Sequence, residues 1–214
     1  MQGGEVWEEL CRLGRERSFA AGAHMTMWGA DERGVVAIVT GVCKVVNTTS
    51  EGREALATVR GPGEVLGEIA ALTGSPRSSS VIALSPVEAV LVNGAEFDRW
   101  LDEAPGAGRK LATLLAVRLA ETTRFGIAAR LRVDTRVADR ILFLVDRFAP
   151  PTQSSQIELE TSLTHEDLAA WVGATRAVTT RAMGALRDRG LLDFGRGWIR
   201  VPDRPALEAF CLAE

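Results

Sequence analysis

The sequence predicts an α+β protein in which short antiparallel strands come first, a long helix follows, and a small helical module ends the chain. β-Branched runs separated by glycines fill residues 19–91, which is typical of an antiparallel sandwich or barrel. Residues 109–132 then show a heptad-like pattern. Two short capped helices and a glycine-centred hairpin occupy residues 164–201. We therefore expect three parts, at residues 1–104, 105–132 and 133–214.

The composition is that of a soluble globular protein, because 46% of the 214 residues are hydrophobic and 25% are charged. The sequence has no apolar run long enough to cross a bilayer. Residues 1–17 are charged throughout and lack the apolar core of a signal peptide. We therefore expect a cytoplasmic protein without a membrane partner.

Residues that usually perform catalysis or bind metals are scarce. The three cysteines, at positions 11, 43 and 211, are too scattered for a disulfide framework or a cysteine-ligated metal site. There are two histidines, and no Ser/His/Asp arrangement or Walker loop is recognisable. We therefore assign no catalytic residue, no metal site and no tightly bound cofactor.

Short strands and turns are predicted in the first half of the chain. Strands are expected at residues 35–39, 42–46, 81–83 and 89–92, with an amphipathic helix at 5–16 and a short helix at 95–103. Ser50-Glu51-Gly52 is expected to form a hairpin tip, because glycine readily adopts the positive φ that such a turn needs.

The long helix predicted at residues 109–132 has two apolar sides. One side carries a seam spaced by four and three: Leu111, Leu115, Arg118, Thr122, Phe125, Ala129 and Arg132. The other side carries Leu114, Val117 and Ile127, which are expected to pack on the β-domain. Since two apolar sides need two partners, we interpret the seam as a homodimer interface. A helix that packs only on its own domain is the alternative. Another helix is expected at residues 135–148.

Residues 164–190 have the pattern of a helix-turn-helix. Thr164 is a suitable N-cap, and Asp167 three residues later resembles a capping box. The first helix is expected at residues 166–172, and Thr175 caps a second helix that runs to about residue 189. One face of the second helix carries Arg176, Ala177, Thr180 and Arg181, and the opposite face carries Val178, Ala182, Ala185 and Leu186.

The arginine face of the second helix favours duplex DNA as the partner. Arginine has a planar donor fork that matches guanine O6 and N7 in the major groove, and small neighbours let the helix approach closely. Strands at 191–194 and 198–201, joined by Gly195-Arg196-Gly197, predict a wing that touches phosphate. A solvated arginine face is the alternative. The candidate DNA-binding residues are Thr164, His165, Thr175, Arg176, Ala177, Thr180, Arg181 and Arg196.

Charge changes sign along the chain, which is consistent with a DNA-binding C-terminal part. The net charge is −3, and residues 1–100 carry 9 Lys+Arg against 13 Asp+Glu. Residues 161–200 carry six arginines against four acids. The basic residues are therefore concentrated where the helix-turn-helix is predicted.

Several segments resemble the catabolite activator/fumarate–nitrate regulator superfamily. In the C-terminal half these are Leu163–Ala169, Val172–Arg176 and Arg187–Leu192. In the N-terminal half, Gly61-Pro62-Gly63-Glu64 and residues 66–81 look like the phosphate-binding cassette of cyclic-nucleotide domains. The resemblance implies a cyclic-nucleotide-binding-type β-roll (jelly-roll-like), a long dimerisation helix and a C-terminal winged helix-turn-helix. It also implies a DNA-binding transcription regulator that acts as a homodimer on a palindromic operator.

The resemblance further implies a ligand site for cAMP or another cyclic nucleotide. The backbone N–H groups of Gly67, Glu68 and Ile69 would receive the cyclic phosphate. Arg77 would pair with its oxygens and Ser78 would add a hydroxyl donor, while Glu68 would accept from the ribose 2′-OH. Thr122 and Thr123 on the long helix would contact the base, in an alignment that needs a one-residue gap. A structural ion pair between Glu68 and Arg77 is the alternative.

The sequence departs from the family pattern at two informative positions. Ser79 stands where the family usually has alanine. Ala177 follows Arg176 where DNA readers of the family carry glutamate, which would accept from cytosine N4. The usual family half-site is therefore in doubt at that base.

Several functional alternatives remain open from sequence. In the first alternative, the protein binds DNA but its pocket is vestigial or takes a different effector. In the second, the protein is a cyclic-nucleotide-binding regulatory subunit that acts through protein contacts instead of DNA. If the regulator is an activator, RNA polymerase is the expected protein partner.

Overall fold

The computed structural model describes residues 4–48, 54–149 and 154–213. It divides into two compact units, Met1–Glu121 and Thr122–Glu214, and the division falls inside a helix. The three-part division at 1–104, 105–132 and 133–214 stays a prediction. The hairpin tip expected at Ser50-Glu51-Gly52 lies outside the described residues.

The first unit contains two antiparallel four-stranded sheets. Its elements are α1 Gly4–Leu13, β1 Arg15–Phe19, β2 His24–Thr26, β3 Val35–Thr40, β4 Cys43–Thr48, β5 Glu54–Arg60, β6 Val65–Leu66, α2 Glu68–Thr73, β7 Ser80–Ala83, β8 Val87–Val92 and α3 Gly94–Glu103. The helix α4, Ala107–Ala128, begins in this unit. One sheet has the order β1-β8-β3-β6 and the other β2-β7-β4-β5.

Strand β3 is buried on both faces, which explains its uninterrupted apolar sequence. Val36 and Ile38 face the core between the two sheets. Val35 and Ala37 face a second core, in which α1, α3 and α4 cover the first sheet. The second core includes the buried Leu10, Phe97, Trp100 and Leu111. The sandwich therefore has one inner face and one helix-covered face.

The expected strands at 35–39, 42–46, 81–83 and 89–92 are confirmed within one or two residues, as is the helix at 95–103. Strands β1, β2, β5 and β6 were not predicted. Strand β1 reads Arg-Glu-Arg-Ser-Phe and is exposed except at Phe19, so no apolar alternation marks it. Strand pairing with β8 stabilises this segment instead.

The long helix ends earlier than the sequence pattern suggests. Helix α4 spans Ala107–Ala128, and the next helix α5 spans Val133–Phe148. Arg132 is extended and serves as the N-cap of α5. Asp134 accepts hydrogen bonds from the Arg132 side chain and from the Thr135 backbone N–H, which begins the new helix. The predicted seam positions Ala129 and Arg132 therefore lie beyond the end of α4.

The prediction of which residues of α4 pack on the β-domain is confirmed for Leu114, which packs against the helix-covered core, and is wrong for the others. Leu111, assigned to the dimer seam, is buried in the helix-covered core of the first unit. Val117 and Ile127, expected to pack on the β-domain, are 52% and 66% exposed. Leu119, which sequence reasoning left out, is 68% exposed. The seam side faces its own chain, and an apolar opposite side faces solvent.

The second unit holds the helix-turn-helix and its wing. After α5 its elements are β9 Ile157–Glu160, α6 His165–Val172, α7 Arg176–Asp188, β10 Asp193–Gly195, β11 Trp198–Val201 and α8 Arg204–Leu212. An antiparallel sheet has the order β10-β11-β9. The two predicted helices and the wing hairpin are confirmed with small shifts at their ends, and β9 and α8 were not predicted.

An aromatic cluster that also holds an arginine anchors α5 within this unit. Phe125, Phe143 and Trp171 contact one another edge to face, with ring centroids 5.3 to 6.0 Å apart. The Arg140 guanidinium lies 3.6 Å from the Phe125 ring centroid and pairs with Asp139 at 2.6 Å. Burial lowers the pKa of Arg140 to about 10, while Asp139 opposes the shift. The cluster fixes the last turn of α4 onto α5 and α6.

Within the described residues, none of the helices combines the length and apolar character that a bilayer crossing requires. The same residues contain no group of three or more His, Cys, Asp or Glu side chains placed to hold a metal ion.

Candidate functional site

Arg77 lies at the centre of the predicted cassette and is 5% exposed. Its Nη1 donates to the Gly67 carbonyl at 3.1 Å, and its Nη2 donates to the Gly34 carbonyl at 2.7 Å. The Arg77 backbone is fixed as well, because its N–H donates to Ala30 and its carbonyl accepts from Gly29. The side chain and the backbone of Arg77 are therefore both held in place.

Gly67 is needed for this arrangement. It precedes α2 with φ of 87°, in the left-handed region that favours glycine. A Cβ at this position would overlap Arg77 Nη1 and lie 3.0 Å from the Gly34 carbonyl oxygen. The absence of a side chain at Gly67 therefore gives Arg77 its place beside the start of α2.

The Arg77 guanidinium retains unused donors. An arginine has five N–H donors, and Nε has no hydrogen-bond partner among the described residues. Burial lowers the pKa of Arg77, while the negative charges of Glu32 and Glu68 oppose that shift. The carboxylate of Glu32 is exposed and lies 3.9 Å from Nη2. The result is a desolvated cation with donors available for an anion.

Glu68 is 4% exposed and pairs with Arg118, a residue that sequence reasoning did not assign to the site. Arg118 lies on α4, and its Nη2 also donates to the Val65 carbonyl at 2.6 Å. The sequence did contain a signal for Arg118, because it is a charged residue inside the apolar seam of the long helix. The alternative of an ion pair between Glu68 and Arg77 is not what the described residues form, because Glu68 pairs with Arg118 and the acid nearest Arg77 is Glu32.

The ion pair between Glu68 and Arg118 belongs to a larger buried network. Glu64 lies 3.9 Å from Arg118 and 3.3 Å from Arg60, and Arg60 reaches Glu121 at 2.8 Å. The five charged groups come from β5, from α4 and from the segment that contains β6 and the start of α2. Breaking one partner of such a network is costly, because it leaves a buried charge uncompensated.

The remaining predicted ligand residues are more accessible. Ile69 is 50% exposed on α2, and Ser78 is exposed just after Arg77. The N–H groups of Glu68 and Ile69 lie in the first turn of α2, where helix geometry supplies no intrahelical acceptor. Thr122 and Thr123 are exposed on α4 and fall in the second unit. The ligand roles of all these residues stay predictions.

In the second unit, α7 presents the predicted face to solvent. Arg176, Ala177, Thr180 and Arg181 are all exposed. The buried side of the helix consists of Thr179, Ala182, Met183 and Leu186. Val178 and Ala185, expected to anchor the helix, are only half-buried. Sequence reasoning missed Thr179 and Met183 as core residues. A threonine in an arginine-rich segment gives no sign of being buried.

The N-terminal caps of both helices involve predicted DNA contacts. The Thr164 hydroxyl accepts from the Asp167 backbone N–H at 3.0 Å and donates to the Asp167 carboxylate at 2.7 Å. Its only proton is therefore committed to the capping box. The Thr175 hydroxyl accepts from the Val178 N–H at 3.4 Å. His165 Nδ1 lies 3.2 Å from Thr180 Oγ1, which links α6 to the exposed face of α7.

The wing carries Arg196 at its tip, exposed between two glycines. Gly197 has φ of 83°, and a Cβ on Gly195 would overlap the Trp198 ring. Both glycines are therefore required for this tight β10–β11 connection.

The arginines of α7 and of the wing fall into two groups. Arg187 is held by Asp193 at 3.1 Å and by the Phe194 ring at 3.7 Å, and Arg200 pairs with Glu158 at 2.8 Å. By contrast, no acidic partner for Arg176, Arg181 or Arg196 exists in the part of the chain that the structure describes. The first group stabilises the wing, and the second leaves its charge available at the surface.

Comparison with known proteins identifies both units. Residues 16–104 match the family described as cyclic nucleotide-binding domain, and residues 135–210 match the Crp-like helix-turn-helix domain. A CRP-like cAMP-activated global transcriptional regulator of Mycobacterium tuberculosis is 31% identical over 173 residues, which span 79% of this chain and 73% of that protein. The chain belongs to the CRP/FNR superfamily of transcription regulators. It is a DNA-binding regulator with a cyclic nucleotide-binding domain.

Further relatives and solved structures agree with this membership. A cyclic AMP receptor protein of Thermus thermophilus is 28% identical over 179 residues, covering 82% of this regulator and 79% of the relative. A CRP/FNR-family transcriptional regulator, also from Thermus thermophilus, superposes with a TM-score of 0.75 at 25% identity, over 93% of this chain and 99% of that one. FixK2 from Bradyrhizobium japonicum shares the fold, with a TM-score of 0.78 at 22% identity over 92% and 96%.

Proposed function

We propose that this regulator binds a cyclic nucleotide, cAMP, at the cassette formed by Gly67, Glu68, Ile69, Arg77 and Ser78, and that binding changes its affinity for operator DNA. The observation that carries the proposal is the buried Arg77 guanidinium, whose Nε has no partner among the described residues. A cyclic phosphate offers the anionic oxygens that such a cation lacks. Two curated relatives carry names that specify cAMP, which supports this choice of nucleotide.

The ribose of the ligand would be linked to α4 through Glu68 and Arg118. The Glu68 carboxylate would accept from the ribose 2′-OH while Arg118 competes for the same oxygens. Arg118 and the predicted base contacts Thr122 and Thr123 occupy successive turns of the same helix. A ligand that engages these residues in one state of α4 more than in another would shift the balance between the two states.

A second copy of the chain is the proposed partner of α4. The exposed apolar residues Val117, Leu119 and Ile127 support a homodimer, because such side chains favour burial. Two-fold symmetry then predicts a palindromic operator with half-sites about 34 Å apart. Arg176, Ala177, Thr180 and Arg181 would face the bases. Arg196, His165, Thr164 and Thr175 would lie near phosphate, with RNA polymerase the further partner of an activator.

The test is fluorescence anisotropy on a duplex selected from a random pool, with and without cAMP. We expect cAMP to change the Kd for DNA by about fivefold or more, which is typical of allosteric coupling. The variant Arg77→Ala should lose the response, whereas Arg99→Ala, which removes an exposed arginine on α3, should keep it. Equal DNA affinity at every cAMP concentration would defeat the gating proposal.

Another effector is the second candidate, since the names of the relatives include global nitrogen regulators alongside cAMP regulators. Thermal shift against cAMP, cGMP and other small anions separates the two candidates. A rise in Tm with a different anion, abolished by Arg77→Ala, would replace cAMP and leave the pocket assignment intact.

A further inference from the structure

A cleft of about 670 Å³ in the first unit is lined by four arginines, Arg15, Arg17, Arg33 and Arg77. We call it the arginine cleft. Apart from Arg77, none of the cassette residues named above lines it. The volume is that of a site for a small molecule.

Strand pairing places two of these arginines, both exposed to solvent, on the core-facing side of an edge strand. Arg15 pairs with Leu91, which pairs in turn with Val36. Directly paired residues share one face of a sheet, and Val36 belongs to the core between the two sheets. Arg17, two residues after Arg15, is on the same face. Both arginines thus lie on the inner face of the sheet, on its edge strand.

Glycines position the third arginine. A Cβ on Gly94 would lie 2.9 Å from the Arg33 Cβ, and one on Gly74 would lie 3.7 Å from Arg33 Nη2. A larger residue at position 94 would therefore crowd the base of the Arg33 side chain, while the guanidinium lies beside Gly74. Arg33 and Gly94 both line the cleft.

The charges in this cleft are not balanced. Arg15, Arg17 and Arg33 have no acidic partner within residues 4–48, 54–149 and 154–213, and Glu32 is the one acid in the lining. Arg77, also in the lining, is 5% exposed, and its Nε has no hydrogen-bond partner in the same ranges. Like charges that line one cleft repel one another, and a bound anion would relieve that repulsion.

We infer that the arginine cleft is a second ligand site, specific for a small polyanion with two or more phosphate or carboxylate groups. A small ligand fits better than a protein or nucleic-acid surface, because Arg77 is buried and a broad surface cannot approach it. The alternative is that the arginines only protect the edge strand against aggregation, as inward-pointing charges do. In that case the cleft would bind no ligand. The inference does not depend on cAMP being the effector.

Calorimetry on the full chain at low ionic strength tests the site, with tripolyphosphate and citrate as probes. Arg77 is common to both proposed sites, so the variants are Arg33→Gln and the double variant Arg15→Gln/Arg17→Gln. The matched controls are Arg12→Gln and Arg12→Gln/Arg99→Gln, which remove the same charges from exposed positions outside the cleft.

We expect at least one polyanion to bind, and each cleft variant to weaken it by about tenfold or more, through loss of charge-assisted hydrogen bonds. The controls should stay within about twofold, since exposed charges contribute little. The tighter probe indicates whether the natural ligand carries phosphate or carboxylate groups. Titrated with cAMP, the Arg33→Gln variant should match the unmodified protein.

Three outcomes would overturn the inference. Neither polyanion binds, or the control variants weaken binding as much as the cleft variants do, or Arg33→Gln removes polyanion and cAMP binding together. Failure of cAMP to bind any form of the protein would count against the proposed function alone. Polyanion binding that persists in that case would still support the arginine cleft.

Discussion

At the scale of single residues, Gly67 and Arg77 depend on each other. The guanidinium lies where a side chain on residue 67 would be, and it donates to the carbonyl of the same residue. Both the φ of 87° and the close approach require glycine. The geometry of the cassette therefore depends on the missing side chain at Gly67 as much as on the charged side chain of Arg77.

Substituting Gly67 by alanine should both destabilise the first unit and displace Arg77. The expected cost is about 2–3 kcal/mol, from the left-handed backbone and from the overlap with the guanidinium. Gly63→Ala is the matched control, since Gly63 has φ of 81° but a Cβ at that position would meet no atom within 4 Å, and only the backbone cost of about 1 kcal/mol remains. Urea unfolding measures both, and equal losses would contradict the proposed overlap.

Asp134 makes stability in the second unit depend on pH. The hydrogen bond from Arg132 is the main cause that lowers the pKa of Asp134 below its ordinary value of 3.8, with the Thr135 N–H adding to it. A carboxyl whose folded pKa is depressed stabilises the fold above its unfolded pKa, and that contribution disappears as the pH falls through the folded value.

Replacing Asp134 by asparagine should therefore lower stability at pH 7 and have less effect near pH 3. Unfolding of the second unit by urea at the two pH values measures the difference. Asp98→Asn, at an exposed position on α3, removes a carboxylate from the other unit and should leave this transition unchanged. A pH-independent loss at Asp134 would assign it a purely steric role.

At the scale of elements, α7 has one side that packs in the core of its unit and another side that is exposed. Thr179 is fully buried while its neighbour Thr180 is exposed, so adjacent threonines serve opposite sides. Arg176 and Ala177 open the helix at its exposed N-terminal turn. The alanine offers a methyl group where glutamate would offer an acceptor, which favours contact with a thymine methyl over cytosine N4.

Ala177→Glu should redirect the selected operator towards cytosine at one position of each half-site. A new contact of this kind is worth about 1–3 kcal/mol of discrimination. Site selection with both proteins shows the change. Arg189→Glu, at the far end of the same helix, introduces a carboxylate without reaching the bases and serves as the control. An unchanged consensus in the Ala177→Glu variant would remove residue 177 from base recognition.

The arginines of the C-terminal unit could not be sorted by their positions in sequence. All six between residues 161 and 200 look alike in a charge count. Arg187 on α7 pairs with Asp193 on β10, and Arg200 pairs with Glu158 because β9 and β11 are neighbours in one sheet. Strand β9 was not predicted, so this sorting had to come from the structure.

At the scale of the whole molecule, one side of α4 is apolar and exposed to solvent. Val117, Leu119 and Ile127 are each more than half exposed, and the buried side of the helix is already covered by its own chain. A second copy would bury these side chains and bring two DNA-reading helices under one symmetry axis.

Charge on this surface should separate the protomers. We expect Leu119→Glu to yield a monomer in sedimentation equilibrium and to weaken operator binding, because a buried unpaired carboxylate is strongly unfavourable. Leu212→Glu on α8 is the control, since Leu212 is 86% exposed. A dimer that survives Leu119→Glu unchanged would place the interface elsewhere.

The sequence by itself determined the fold class, the order of its parts and the family, because these follow from local patterns. The apolar strands β3, β4, β7 and β8, the Thr164 capping box and the Gly67-to-Arg77 spacing are all short-range features that the chain carries without folding. Such patterns also located the exposed face of α7.

Only the tertiary structure decided which groups meet. It paired Glu68 with Arg118, it turned Leu111 inward and Leu119 outward, and it gathered Arg15 and Arg33 around one cleft. These residues are separated by many positions in the chain, and their contacts depend on sheet register and on the direction of α4. Long-range pairing of this kind leaves no periodic trace in the sequence, so it had to be observed.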